Sequence, residues 1–363
     1  MVRVLKLGLK GAGALAILGC AAWMAGALRF HPVFGAATVV VQIVAALLAG
    51  GAVFGLFAPK LRPALFGFLG AFACATVWWA QIEPDGNRVW APELARVVSF
   101  RRDGDVLRVD NVRNFDWRSE SDFTERWESR SYRLSQLKDV DLYAIYWMGP
   151  AIAHLIVSFG FEDGQRLAFS IEVRHGPGAE YGMLTGLFKV DQILYVAAEE
   201  RDLFTLRHWR KDDPYLFRTR MTAERARPLL LSYLEDGASL AEKPRFYNTL
   251  TTNCTTEIFR MLRALSPGLS WNWRILLPGY FPDLAYRAGA LNHAYTLPEL
   301  YERGRLEPYE PPFPEGAAFS AMIRRRPPAP SPRAVRRAPR PSEAALGARK
   351  AGWTSLAPPK EAG

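Results

Sequence analysis

The stretch Phe246-Tyr247-Asn248-Thr249-Leu250-Thr251-Thr252-Asn253-Cys254-Thr255-Thr256 leads directly into an amphipathic helix pattern. Apolar residues recur behind it at helical spacing, at Ile258, Met261, Leu262 and Leu265. Thr251 and Thr252 are good N-cap residues, so the sequence predicts that Cys254 lies in the first turn of a helix. At that position the unpaired N–H groups and the positive end of the helix dipole favour a thiolate. The stretch therefore predicts a nucleophilic cysteine.

Cys254 is the only one of the three cysteines that lies outside the apolar N-terminal part of the chain. A buried cysteine that acts as a small apolar residue is the competing interpretation. The threonine and asparagine neighbours weigh against it, because a core cysteine usually has apolar neighbours. With a single cysteine the globular part cannot form an internal disulfide, which fits a free and reactive thiol.

The composition divides the 363 residues into distinct parts. Residues 1–82 are largely apolar, residues 83–109 form a connector, and residues 110–320 have the mixed, aromatic-rich composition of a globular domain. Residues 324–363 are mostly Arg, Pro and Ala, which predicts a disordered tail. Ten Lys and Arg residues lie in that tail against two Glu, so it carries most of the net charge of +10. We therefore expect no nucleic-acid partner for the domain.

Three uncharged apolar runs, at 12–28, 34–57 and 64–82, are each close to the length that spans a bilayer. A cleaved signal peptide is the alternative for the first run, because basic residues precede it. The two runs that follow favour an anchor. Basic residues before the first run and between the second and third place these segments in the cytoplasm. The sequence thus predicts a multi-pass membrane protein whose domain lies outside the cytoplasm, in the periplasm where the cell has an outer membrane.

The clearest hairpin has strands at 154–161 and 166–174 around an Asp163-Gly164 turn. Further strands are predicted over five segments: 106–112, 132–137, 141–148, 192–197 and 203–207. Charged residues at 199–202 predict a turn, and helices are predicted over 222–240 and 298–305. The pattern favours an α+β domain with an antiparallel sheet and a nucleophile helix, preceded by three transmembrane helices.

Two of the five histidines are suitable bases for the Cys254 thiol. His154 stands at the head of the first hairpin strand, where its side chain can project from the sheet edge toward a helix end. His175 follows the second strand beside Gly176 and Gly178, where a solvated loop histidine is the simpler interpretation. The sequence therefore favours a dyad of Cys254 and His154.

The second strand of the hairpin returns past the first, so Ser170, Glu172 or Arg174 flanks His154. Glu172 is the natural residue to orient the imidazole, as a carboxylate does in a catalytic triad. It also suits a structural ion pair with Arg174 or a surface position. We predict Glu172 as the third member of the site.

Four residues that flank the thiol or the hairpin are candidates for substrate or oxyanion contacts: Asn253, Thr252, Tyr247 and Arg174. A backbone N–H at the helix start is a further oxyanion donor. The chain has no His-Glu-x-x-His pattern, and the domain has no Cys-x-x-Cys pattern. We therefore expect neither a metal site nor a cofactor.

Four segments in this order carry a family resemblance: 115–124 (FDWRSESDFT), 158–174 (SFGFEDG to SIEVR), 195–202 and 246–256. Together they resemble the Lnb N-terminal periplasmic domain family of bacterial membrane proteins, over about residues 110–265. The resemblance implies a permuted papain-like fold of the NlpC/P60 type, in which the histidine precedes the cysteine. The order His154, Glu172, Cys254 agrees with that arrangement.

The resemblance also implies an activity. Founding members of the family are implicated in N-acylation of lipoproteins, in which an acyl chain moves from a membrane phospholipid to the N-terminal amine of the lipoprotein. Carried over, Cys254 is the nucleophile, His154 its base and Glu172 the third member. In those proteins the membrane spans follow the domain, whereas here three runs precede it.

Two other functions remain open at this point. The same dyad suits an amidase or peptidase that acts on cell-wall peptides. A non-catalytic envelope scaffold is the alternative from another class, although a scaffold does not need a polar-flanked free cysteine and an upstream strand histidine. The sequence gives no prediction of the oligomeric state.

Overall fold

A computed structural model of the chain describes residues 2–179, 182–306 and 311–330. Its N-terminal part consists of three long helices: α1 Val2–Phe30, α2 Thr38–Gly55 and α3 Arg62–Ala80. All three are long and apolar enough to cross a membrane. They pack on one another through a small core that includes Met24, Ala49 and Phe68. The predicted set of three apolar helices is confirmed.

The domain is built on strands that alternate with turns and short helices. These are β1 Ser99–Asp103, β2 Val106–Arg113, β3 Asp116–Trp117, β4 Phe123–Thr124, β5 Trp127–Arg133, β6 Leu137–Tyr146, β7 Ala153–Phe161, β8 Arg166–Arg174, β9 Gln192–Ala198 and β10 Asp213–Arg218. The main sheet has the order β1-β2-β9-β8-β7-β6-β10, β5 pairs with β2, and β3 pairs with β4 separately.

The sheet is mixed, whereas the sequence predicts an antiparallel one. The pairing of β2 with β9 is parallel and joins Arg113 to Ala198. The other pairings of the named strands are antiparallel. The parallel contact was not predictable because it joins strands that are distant in sequence, with no hairpin turn between them to fix their relative direction.

In the described part of the domain, six α-helices cover both faces of the sheet. They are α4 Glu200–Trp209, α5 Ala223–Ser239, α6 Cys254–Leu265, α7 Phe281–Arg287, α8 Leu297–Gly304 and α9 Gly316–Ile323. One core lies between the sheet and α5 and α6, with Phe159 and Tyr233 buried in it. The second core lies on the other face, where Phe204 of α4 and Phe319 of α9 are packed. The α+β class is therefore confirmed.

The hairpin of β7 and β8 is confirmed, with Ile156 opposite Ser170 in its register. Its turn is one residue longer than a two-residue turn, because the Phe161 N–H bonds to the Gln165 carbonyl at 3.0 Å. Gly164 takes the left-handed conformation there, with φ of 86°. The helices predicted over 222–240 and 298–305 are present as α5 and α8.

The chain over 199–207 differs from the prediction. The predicted strand at 203–207 and the predicted turn at 199–202 are wrong, because these residues enter α4. Residues 200–207 are all buried, so α4 has no polar stripe to reveal its helical period. Its charged residues are paired with groups far away in sequence, such as Asp202 with Arg113 at 2.7 Å.

The packed part of the domain extends beyond its predicted end at residue 320. Arg324 donates from Nε to Asp141 Oδ2 at 2.8 Å and from Nη2 to Glu200 Oε1 at 2.5 Å. The side chains of Asp141 and Glu200 are each only 1% exposed. Arg324, the first residue of the predicted tail, therefore belongs to a buried ion-pair cluster of the domain. Residues 331–363 of that tail lie outside the described residues.

Candidate active site

Helix α6 begins at Cys254, as the sequence predicts, but its N-cap is Asn253 instead of the two threonines before it. The Asn253 Oδ1 accepts the N–H groups of Thr255 and Thr256, both at 3.0 Å. In return, Thr256 Oγ1 accepts the Asn253 N–H at 2.8 Å. This reciprocal cap satisfies orphan donors of the first turn and fixes where the helix starts.

The turn before the cap is held by a second asparagine. Asn248 Oδ1 accepts the N–H groups of Leu250 and Thr251, each at 3.0 Å. Asn248 and Thr252 also pair through their backbones, at 3.0 and 2.9 Å. The Asn253 Nδ2 closes the turn by donating to a carbonyl in it at 2.8 Å. Hydrogen bonds before and after Cys254 therefore fix the start of the helix that carries the thiol.

His154 reaches this thiol from β7. Hydrogen bonds with the His154 ring and with the backbone N–H of Leu155 both lower the pKa of the Cys254 thiol. Thr255 Oγ1 lies 3.8 Å from Cys254 Sγ. Cys254 is only 8% exposed, so the residue is buried. The base and the nucleophile of the predicted dyad are in contact.

Ser170 and Glu172 of β8 lie on the other side of the imidazole. The register that sets Ile156 opposite Ser170 also sets His154 opposite Glu172. His154 Nε2 lies 2.6 Å from Ser170 Oγ, and Ser170 Oγ donates to Glu172 Oε1 at 2.5 Å. The direct distance from Nε2 to Glu172 Oε1 is longer, 3.4 Å. Ser170 therefore stands between the histidine and the carboxylate.

The charge state of the dyad follows from these neighbours. Burial raises the pKa of the Cys254 thiol, but the hydrogen bond with His154 and the charge of its ring lower it below the ordinary value of a thiol. Burial lowers the pKa of His154, but the Glu172 carboxylate outweighs it and raises that pKa to about 9. Both shifts favour a thiolate paired with an imidazolium.

Arg207 of α4 keeps Glu172 ionised. Its Nη2 donates to Glu172 Oε1 at 3.2 Å, and its Nη1 lies 3.6 Å from Asp212 Oδ2. Burial raises the pKa of Glu172, but His154 and Arg207 lower it well below its ordinary value. Sequence reasoning missed Arg207 because it lies in the wrongly predicted strand. A basic residue inside an otherwise apolar predicted strand is the signal that points to such a partner.

The chain was compared with known proteins, and residues 123–279 match the family model described as the Lnb N-terminal periplasmic domain. No curated protein and no solved structure matches the chain. The three residues Cys254, His154 and Glu172 all lie within the matched Lnb domain. Together with the three apolar helices before it, the match fits a membrane protein with a periplasmic domain.

The other predicted site residues of the Lnb domain are placed differently. Arg174 donates from Nε to the Leu94 carbonyl at 2.9 Å and from Nη2 to the Ala95 carbonyl at 2.7 Å. Its guanidinium lies 4.5 Å from the centre of the Trp90 ring. Arg174 therefore fastens the connector to β8 and is not brought to the thiol.

Tyr247 is buried in the core on the α6 side of the sheet, and its N–H donates to the Asp191 carbonyl at 2.9 Å. His175, the alternative base, has its Nδ1 3.0 Å from the Gly176 carbonyl oxygen. Thr252 is half-buried beside the cap. Within residues 2–179, 182–306 and 311–330, no group of three His, Cys, Asp or Glu side chains is arranged to hold a metal ion.

Proposed function

We propose that the chain is a membrane-anchored thiol acyltransferase or hydrolase that works outside the cytoplasm. The observation that carries this proposal is the contact of the Cys254 thiol, at the start of α6, with His154. His154 is in turn held by Ser170 and Glu172. A nucleophile at a helix start, a base in contact with it and a group that orients the base are the parts of covalent acyl transfer.

In the first half-reaction the Cys254 thiolate attacks the carbonyl carbon of an ester or amide. The Asn253 cap binds the N–H groups of Thr255 and Thr256 and leaves the Cys254 N–H to bind the oxyanion. The His154 imidazolium then gives its proton to the leaving oxygen or nitrogen. The bond from the carbonyl carbon to that atom breaks, and a thioester on Cys254 remains.

In the second half-reaction an amine or a water molecule attacks the thioester. His154, now neutral, takes the proton from the attacking atom. The carbon–sulfur bond breaks, and Sγ leaves as the thiolate. An amine acceptor yields an amide, whereas water yields a free acid. The same residues thus serve a transferase or a hydrolase, and the acceptor decides between them.

The resemblance to the Lnb family suggests specific substrates for this reaction. A membrane phospholipid would be the acyl donor, and the N-terminal amine of a lipoprotein would be the acceptor. The three apolar helices support a substrate that is already in the membrane. The histidine strand precedes the nucleophile helix in the chain, which supports the permuted papain-like arrangement.

Mass spectrometry of mature lipoprotein N-termini tests the substrate. We expect N-acylation in cells that make the chain, its loss with Cys254→Ala, and no change with the matched control Cys74→Ala, which removes an exposed cysteine of the anchor. Full N-acylation with Cys254→Ala, at equal protein levels, would contradict the proposal. Loss of a cell-wall peptide cleavage instead would leave the dyad in place and identify an amidase.

A further inference from the structure

One edge of the sheet carries both the candidate active site and the junction with the membrane helices. Because β6, β7, β8 and β9 are antiparallel neighbours, the end of β6, the start of β7, the end of β8 and the start of β9 lie along the same edge. We call it the anchor edge. His154 lies there, near the start of β7.

The loop between β8 and β9 packs the anchor edge against the ends of α1 and α3. The Phe188 ring stacks on Phe30 with 5.1 Å between the ring centres. His31 Nε2 lies 2.7 Å from the Phe188 carbonyl oxygen. Lys189 Nζ donates to the carbonyl of Trp79 at 2.7 Å. The domain is therefore in direct contact with the same ends of two helices that are apolar enough to span a membrane.

Large apolar side chains are exposed around this edge. We call the following six the apolar rim, and each is 46–65% exposed: Trp147, Met148, Met183, Leu184, Leu250 and Trp273. The first two lie in the turn between β6 and β7. The next two lie in the loop between β8 and β9 that also carries Phe188.

Hydrogen bonds and ring contacts tie the last two rim residues to the same edge. Thr249 Oγ1 donates to the Met183 carbonyl at 2.9 Å, which holds the turn of Leu250 against the β8–β9 loop. The Trp273 ring lies 5.5 Å from Tyr280. Next to that tyrosine, the Gly279 N–H donates to a carbonyl in the turn between β6 and β7 at 2.9 Å.

We propose that the apolar rim is a membrane-contact surface that enters the interface of the bilayer spanned by α1–α3. A cluster of exposed large apolar side chains marks a contact surface. Its occupant is the bilayer because Met183 and Leu184 belong to the same loop as Phe188, which packs against the ends of α1 and α3. Tryptophan is enriched at membrane interfaces, and the Arg274 guanidinium lies 4.4 Å from the Trp273 ring centre. The inference concerns position and does not depend on the proposed function.

The contact would also fix the distance between the Cys254 thiol and the bilayer surface. Leu250 precedes Cys254 by one short turn that the two asparagines hold rigidly. Insertion of Leu250 into the interface therefore holds the Cys254 thiol beside the bilayer surface.

Spin labels measure this position in the full chain. In a background with Cys20→Ala, Cys74→Ala and Cys254→Ser, single cysteines would be introduced as Leu184→Cys, Leu250→Cys or Trp273→Cys and labelled. The matched control is Asp163→Cys, which is exposed in the β7–β8 turn at the opposite edge. The protein would be placed in nanodiscs of phosphatidylethanolamine and phosphatidylglycerol. Power saturation then compares collisions with oxygen, which is enriched in the bilayer, and with a water-soluble nickel chelate.

We expect the labels at the three rim positions to collide more often with oxygen than with the chelate, and the Asp163→Cys label to show the reverse. Equal accessibility at the rim and at the control would overturn the proposal. Membrane signals at positions 184 and 250 without one at 273 would also overturn it, because the rim would not act as one surface. The reporter protein lacks Cys254, so a failure of the catalytic proposal leaves this result unaffected.

Discussion

The hydroxyl oxygen of Ser170 lies 2.6 Å from Nε2 of His154. The same hydroxyl donates its only proton to the Glu172 carboxylate at 2.5 Å, so it must accept a proton from Nε2–H. The imidazole therefore carries a proton on Nε2, the nitrogen that faces Ser170. A serine relays the orienting effect of the carboxylate to the base.

Removal of the Ser170 hydroxyl should weaken this relay without unfolding the domain. We expect Ser170→Ala to lower kcat/KM roughly 10- to 100-fold, as a lost hydrogen bond to a charged group does. The alkaline limb of the pH profile should move to lower pH, because the imidazolium loses support. Steady-state kinetics on a chromogenic ester across pH would measure both. An unaltered pH profile would show that Ser170 is only a packing residue.

The activity should depend on pH with two limbs. The reaction needs a thiolate and a protonated imidazole, so it fails when Cys254 is protonated at low pH and when His154 is deprotonated at high pH. The pKa of the thiol is lowered, and the pKa of His154 is raised to about 9. A plot of kcat/KM against pH should therefore rise at a pH below the ordinary pKa of a thiol and fall near pH 9. A fall centred near pH 6.5, the ordinary histidine value, would contradict the assigned ion pair.

Glu172 should set the position of that alkaline limb. The carboxylate raises the pKa of His154, so Glu172→Gln should lower it and move the limb toward neutral pH. Asp163→Asn, an exposed change in the turn at the opposite edge, is the matched control and should leave the limb in place. The pH dependence of Cys254 alkylation by iodoacetamide gives a second readout that needs no substrate. If Glu172→Gln leaves both profiles unaltered, Glu172 does not orient the histidine.

The hairpin and the start of α6 were predictable because their signals are local. A Gly after an Asp marks the turn of β7 and β8, and polar residues before an apolar periodicity mark the start of α6. The predicted caps Thr251 and Thr252 do not cap α6, because their N–H groups bond to Asn248 in the preceding turn. Only Asn253 is then free to cap α6.

The groups around the dyad that come from other parts of the chain were not predictable in the same way. Arg207 reaches Glu172 from a helix that is buried along most of its length, so α4 shows neither an amphipathic stripe nor exposed charges. Ser170 was expected to flank His154, but its place between two charged side chains depends on rotamers that spacing does not specify. Arg174 lies two residues beyond Glu172 on β8, yet its guanidinium binds the connector.

Arg324 should be a stabilising residue of the domain. It neutralises two buried carboxylates, Asp141 and Glu200, so Arg324→Met should lower the free energy of unfolding by about 3–5 kcal/mol. The neighbouring Arg325 is exposed, and Arg325→Met should change it by less than about 0.5 kcal/mol. Urea unfolding of the full chain in detergent would compare the two. Equal midpoints would contradict the role of Arg324.

The most direct test of the account is to find the acyl group on Cys254. Trypsin releases residues 246–260 as one peptide, in which Cys254 is the only cysteine. The full chain would be incubated with a phospholipid that carries a deuterated acyl chain, without an acceptor, and the peptide analysed by mass spectrometry. We predict a deuterated acyl adduct on Cys254 that hydroxylamine removes and that is strongly reduced in His154→Gln. Turnover of the phospholipid with no adduct on Cys254, and with full activity in Cys254→Ala, would contradict the account.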